Sequence, residues 1–175
     1  MRSFRPVIFV FAILTAACAQ AVDQRPLPNF TNDTPDHWFN SEPLSVQELR
    51  GRVLLVDIWT FDCWNCYRSF PWLNDLEAKF ADQDFQVIGI HSPEFEHEHD
   101  PARVASKIKE FGLEHPVMMD NDFAFWRALG NRYWPAYYPV DKQGIIRYLH
   151  VGETHSGDAR ANRIEEQIRA LLVES

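Results

Sequence analysis

Val53-Leu54-Leu55-Val56-Asp57-Ile58-Trp59-Thr60-Phe61-Asp62-Cys63-Trp64-Asn65-Cys66 is the stretch that decides the fold. Up to Trp59 it is apolar apart from Asp57, the pattern of a strand buried on both faces. Asp62 can cap a helix starting near Cys63, and Phe70, Leu73, Leu76 and Phe80 carry an apolar face through Ala81, with Pro71 inside it as a predicted kink. Two thiols therefore stand where a buried strand turns into a helix, and helical spacing lets them meet.

Downstream, Phe85 to His91 reads as a strand and Pro101 to Phe111 as a helix opened by proline and closed by Gly112. A shorter helix over Asp122 to Leu129 ends at Gly130. Strands at Ala136 to Val140 and Ile145 to Val151 flank the turn Asp141-Lys142-Gln143-Gly144, and Ala161 to Val173 forms a closing amphipathic helix. Upstream, residues 20 to 40 are rich in Pro, Asn, Asp and Thr without helical or strand periodicity, which predicts an extended N-terminal arm. Leu44 to Leu49 is a short helical turn before Gly51. The order β-α-β-α-α-β-β-α predicts an α/β domain over residues 41–175, a central mixed β-sheet with helices on both faces. With 175 residues, 46% of them apolar, the chain can enclose one sizeable core.

Arg2 and Arg5 precede an apolar run from Val7 to Ala17, and Ala17 and Ala19 satisfy a small-x-small cleavage rule. Residues 1–19 therefore read as a secretory signal peptide. As a helix the run would rise ~16 Å, far short of an ~30 Å hydrocarbon core. Alternatively, Leu14-Thr15-Ala16-Ala17-Cys18 resembles a bacterial lipobox shifted by one residue, which would acylate Cys18 and tether the domain to a membrane as a lipoprotein. Both readings place the body of the protein in the periplasm or otherwise outside the cytoplasm. The formal charge of −8 becomes −10 without Arg2 and Arg5, which argues against nucleic acid as a partner.

Of the three cysteines, Cys63 and Cys66 are then the thiols of the folded body, and a lone pair at this spacing suggests reactivity rather than stapling. A thiol at a first helical turn faces free N–H groups and the positive end of the helix dipole, worth ~0.3–1 kcal/mol in favour of the thiolate. Asp62 acts in the opposite sense and Arg68 partly offsets it. Cys63 is the expected nucleophile, and Cys66, deeper in the helix, the thiol that resolves a mixed disulfide. A structural zinc site needs two further ligands, usually a second close pair, and none follows, so no metal is expected at the cysteines. The run His91 to Asp100 offers imidazoles and carboxylates that suit either a borderline metal or a solvated polar loop. No cofactor beyond a redox-active Cys63–Cys66 disulfide is expected.

Val56-Asp57-Ile58-Trp59 ahead of the C-x-x-C, the helix proline and a later Trp134-Pro135 resemble the thioredoxin superfamily over about residues 27 to 173. Trp59-Thr60, Ile90 to Phe95, Asp120-Asn121-Asp122 and Gly130 to Pro135 further resemble the thioredoxin-like domain of DipZ-type cytochrome c biogenesis proteins, and more distantly TlpA-like and redoxin proteins. The resemblance implies a thioredoxin fold in which Pro135 is a cis-proline facing the cysteines and bordering a substrate groove, where an edge-strand proline would be trans. Asp57 becomes a candidate proton relay for Cys66, against a buried acid tied to backbone donors. Glu94 is a second candidate for tuning the thiols, against an ordinary solvated acid. Trp59, Trp64, Phe61, Tyr133 and Trp134 would gather near the cysteine end, and with Pro135 form an apolar platform for a partner's peptide.

The implied activity is an exported thiol–disulfide oxidoreductase working on protein thiols and disulfides in the reducing direction, apocytochrome c among them. DipZ-type proteins relay electrons through a multi-helix membrane part, and here a separate membrane electron donor is expected. A peroxiredoxin-like peroxide reductase is the first alternative: Thr60 fits a P-x-x-x-T-x-x-C pattern, but Val56 replaces its proline. A non-enzymatic module handling a metal or a haem protein is the second.

Overall fold

The computed structural model describes residues 24–174, so the leader at 1–19, with Cys18, lies outside the described residues, as does the start of the arm. Strands Arg25–Pro26 (β1) and Trp38–Phe39 (β2) precede Val53–Trp59 (β3) and helix Trp64–Phe80 (α1). Phe85–His91 (β4), Pro101–Phe111 (α2), Val117–Met119 (β5) and Ala124–Leu129 (α3) follow. Ala136–Val140 (β6), Ile145–Ile146 (β7), His150–Val151 (β8) and Ala159–Val173 (α4) complete the chain.

Every residue of β3 is buried, because β3 lies mid-sheet in the order β1-β7-β6-β3-β4-β5-β2, with β8 paired to β6. β4 runs parallel to β3, β5 parallel to β4, and β6 antiparallel to β3. Alternation along β3 splits its side chains between two layers. Val53, Leu55 and Trp59 pack with Leu73 and Leu76 of α1, Ile108 of α2 and Ile164 of α4. Leu54, Val56 and Ile58 pack with Phe125 and Leu129 of α3. This mixed sheet with helices on both faces is the thioredoxin fold.

The N-terminal segment is part of that fold rather than an appendage to it. β1 pairs with β7 and β2 with β5, so both sheet edges are closed by the same stretch of chain. Leu27 and Trp38, with Val46 and Leu49 from the turn beyond, complete the core on the α3 face. Two-residue edge strands leave little open ladder for another chain to pair with.

Besides helix α4, which starts two residues early at Ala159, three features differ from the expected ones, each for a local reason. The expected element order omits β5, whose three residues are too few for alternation to register. The expected strand over Ile145 to Val151 is interrupted between β7 and β8. Arg147 N donates to Pro139 O at 2.9 Å, so the nitrogen of Pro139 also faces β7, and it has no hydrogen to return. Helix α3 begins at Ala124 rather than Asp122 because Phe123 adopts φ 57°, while Asp122 Oδ1 accepts from Ala124 N at 3.0 Å. Pro71, by contrast, lies within a single helical span from Trp64 to Phe80.

Leu73 is sealed between α1 and the sheet. Leu73→Ala should therefore cost about 2–5 kcal/mol, read as a lower urea midpoint with an unchanged slope.

Candidate active site: the Cys63–Cys66 couple

β3 ends at Trp59 and the chain turns through Thr60, Phe61 and Asp62 to the tip of α1. Cys63 caps that helix: its backbone is extended, and its Sγ accepts from Cys66 N at 3.2 Å. Asp62, expected to be the cap, instead pairs with His97 Nε2 at 2.5 Å, because the cap position falls one residue later. Cys63 and Cys66 form a disulfide with Cα atoms 5.3 Å apart. Cys66 is completely buried and Cys63 only partly so. An incoming thiolate thus meets Cys63 first, and a helix N–H already points at the sulfur that must hold negative charge once the bond opens.

Asp57 lies two residues before the end of β3, on the same face as Leu55 and Trp59, which is the face α1 covers. It is buried, and neither carboxyl oxygen has a hydrogen-bond partner among the described residues. Burial, and after it the negative charge of Glu77, push its carboxyl up to about 8. A carboxyl that titrates near neutrality can both give and take a proton at operating pH. It is not tied to backbone donors.

The loop after β4 emerges at the cysteine end, since β4 runs parallel to β3. Glu94 is exposed; the carboxylate that organises this loop is Glu98, which is buried. Glu98 accepts from Thr60 Oγ1 at 2.5 Å, Asp62 N at 2.9 Å, Glu94 N at 2.6 Å and Phe95 N at 2.8 Å. Burial alone would raise its carboxyl, but these donors outweigh burial and hold it below the usual carboxylate range. Glu98 thereby staples the loop to the approach to Cys63. His91, buried beside Thr60, is pushed down to about 4, chiefly by burial. Among the described residues no group of three or more His, Cys, Asp or Glu is placed to hold a metal ion.

The Trp134–Pro135 peptide bond is cis. Ile58 pairs with Ala136 in the antiparallel β3–β6 register, so Pro135 falls at the sheet end from which the cysteine loop departs. Trp134 Nε1 donates to Ser92 O at 3.0 Å, and Asn131 Nδ2 donates to Tyr133 O at 3.0 Å, which fixes this turn. Of the expected platform, Trp64 and Tyr133 are 66% and 57% exposed, and Trp134 is half-buried against Trp126. Trp59 does not belong to it. Trp59 is wholly buried, edge-on to Phe70 and His91, and supports the loop from below, as does Phe61, stacked on His91.

A disulfide at a helix tip, one sulfur accessible and the other sealed, on this fold defines a thiol–disulfide oxidoreductase. The chain belongs to the Redoxin family, which matches residues 21–168. It is similar to protein DipZ of Mycobacterium tuberculosis, 35% identical over 156 residues, covering 89% of this chain and 21% of DipZ. The chain thus spans about a fifth of the length of the first curated relatives it matches. It is also 28% identical over 152 residues to the thiol-disulfide oxidoreductase YkuV of Bacillus subtilis, covering 87% of this chain and 97% of YkuV. Among solved structures, a thioredoxin-like protein in the oxidised form is 27% identical, with a TM-score of 0.73 over 87% of this chain and 97% of that one.

Two outcomes follow from the carboxylates. Asp57 is raised in the folded state, so its favourable contribution is complete below pH 4 and is lost as pH rises towards 8. The stability advantage of Asp57→Asn over the oxidised wild type should therefore grow across that window, by up to about 1.4 kcal/mol per pH unit in urea melts. Glu98→Ala leaves buried N–H groups without an acceptor and should cost about 3 kcal/mol in the same assay, with Glu98→Gln costing less.

Proposed function

We propose that this protein reduces disulfides in exported proteins outside the cytoplasm, using the Cys63–Cys66 couple with Asp57 as proton relay and no further cofactor. The observation that carries this reading is the asymmetry of the couple: Cys63 partly exposed, Cys66 sealed on the face that holds an unpartnered carboxyl. In the reduced protein the Cys63 thiolate attacks one sulfur of a substrate disulfide and expels the other as a thiolate. Cys66 gives its proton to the Asp57 carboxylate and attacks Cys63 Sγ, releasing the second substrate thiolate and closing the Cys63–Cys66 disulfide. Two electrons pass to the substrate, and a separate dithiol donor, membrane-bound in this reading, restores the couple.

The reducing direction is supported by the charges near the couple. Asp62, paired with His97, adjoins Cys63, the ionised Glu98 holds the backbone of Asp62, and Trp64 and Asn65 between the cysteines bring no cation. Negative surroundings disfavour thiolates and so favour the closed disulfide, the opposite of a strong oxidant whose reduced form is stabilised. Similarity to DipZ, together with the DipZ-like segments, supports apocytochrome c as one substrate. The leader pattern of residues 1–19 supports export, with Cys18 as the alternative lipid anchor. Trp64 and the half-buried Trp134, next to the buried Pro135, are where a substrate peptide would lie, with Glu94 exposed on the loop after β4.

The equilibrium potential against glutathione tests the direction: a value below about −200 mV is expected, whereas one near the ~−120 mV of DsbA would overturn it. Cys66→Ser should accumulate mixed disulfides with exported proteins, identified by mass spectrometry, and Cys63→Ser should accumulate none.

A further inference from the structure

A proton taken up or released by Asp57 needs a way to water that stays open when a substrate covers the cysteine end. Gly89 of β4 pairs with Asp57 in the parallel register, and paired residues face the same side about 4.8 Å apart. A Cβ on Gly89 would stand 3.0 Å from Trp59 Nε1 and 3.1 Å from His115 Nε2. Both nitrogens are buried without a hydrogen-bond partner, as are both oxygens of Asp57. Orphaned polar atoms from β3 and from the loop before β5 therefore flank the site of the missing Cβ, beside a Val117 methyl that would stand 3.0 Å from it.

The other ring nitrogen of His115 leads outward. His115 Nδ1 lies 2.9 Å from Glu77 Oε2, with the imidazole side chain 0% and the Glu77 side chain 25% exposed. Both residues line a cavity of about 570 Å³ that Arg52 and Phe85 also border. Those two mark the N-terminal ends of β3 and β4, so the cavity lies at the opposite end of the sheet from the cysteines.

We propose that Glu77 and His115 are positioning residues that tie Asp57 to this cavity and exchange its proton with solvent at the end of the sheet away from the substrate. This deepens the relay reading of Asp57 and rests on it. When Cys66 leaves the disulfide as a thiolate it takes the Asp57 proton. A proton from cavity water, passed by Glu77 to His115 and on from Nε2, restores the carboxyl, and the same path returns that proton to water before Cys66 of a mixed disulfide gives its own proton to Asp57, with no change of oxidation state along the path. The charge of Glu77 from α1 bears on Asp57, Tyr137 of β6 pairs with it, Cys66 lies on the same face of the sheet, and Trp59 and His115 border its register partner Gly89. Arg160 of α4 acts on Tyr137, and Arg52 and Glu114 share the cavity.

The test is the pH profile of disulfide reduction by dithiothreitol, followed by tryptophan fluorescence, alongside the ¹³C titration of the Asp57 carboxyl. Glu77→Gln keeps a hydrogen-bonding side chain but removes the charge, and should move both midpoints down by about half a pH unit or more. His115→Ala should slow reduction about threefold or more at neutral pH, and added imidazole should restore the rate. If both variants superimpose on the wild type while Asp57→Asn flattens the profile, the pair has no such role and the relay stands. If Asp57→Asn keeps the wild-type profile, the relay falls, and the pair with it.

Discussion

Cys63 reaches its place because the strand ahead of it is buried on every side. β3 is flanked by β4 and β6, covered by α1 and α4 on one face and by α3 and the N-terminal segment on the other. Its end is therefore a fixed point, and the loop Thr60 to Asp62 that leaves it is held by Glu98 from the next crossover. The helix tip, the cis peptide at Pro135 and the loop after β4 meet at that same end of the sheet. A mobile strand would leave the couple without a defined approach for a partner sulfur.

Two buried carboxyls near that end have opposite fates, and hydrogen bonding decides between them. Glu98 gathers four donors, which together offset its desolvation and keep it ionised. Asp57 has none and escapes the cost of a buried charge by holding its proton. The first is a brace, and the second is a group whose charge can change during turnover. Loss of a donor to Glu98 would weaken the approach loop, whereas addition of a donor to Asp57 would remove the property that suits it to handle a proton.

Much of this was legible in the sequence, because β3, β4, α2 and β6 have the lengths and periodicities that pattern reading resolves, and because C-x-x-C after an apolar strand has few other meanings. Cys63, Cys66 and Asp57 are set by spacing along the chain, whereas the role of Pro135 enters through the resemblance to thioredoxin-fold proteins. What escaped depends on contacts far apart in sequence. The N-terminal segment has no periodicity of its own and becomes strand only against β5 and β7. Glu98 lies four residues beyond Glu94 in a run of alternating acids and histidines, where nothing local tells the carboxylate that turns inward from the one that faces water. A short 3₁₀ turn over Glu96–His99 makes that choice. Nearness to the cysteines points Trp59 toward the surface, yet its place in a doubly covered strand requires burial.

The two sulfurs of the couple are unequal, Cys63 presented to partners and Cys66 withheld. Brief alkylation of the fully reduced protein with iodoacetamide, followed by peptide mass spectrometry, measures this directly. Cys63 should be modified at least about tenfold faster than Cys66. Equal labelling, or Cys66 reacting first, would contradict it.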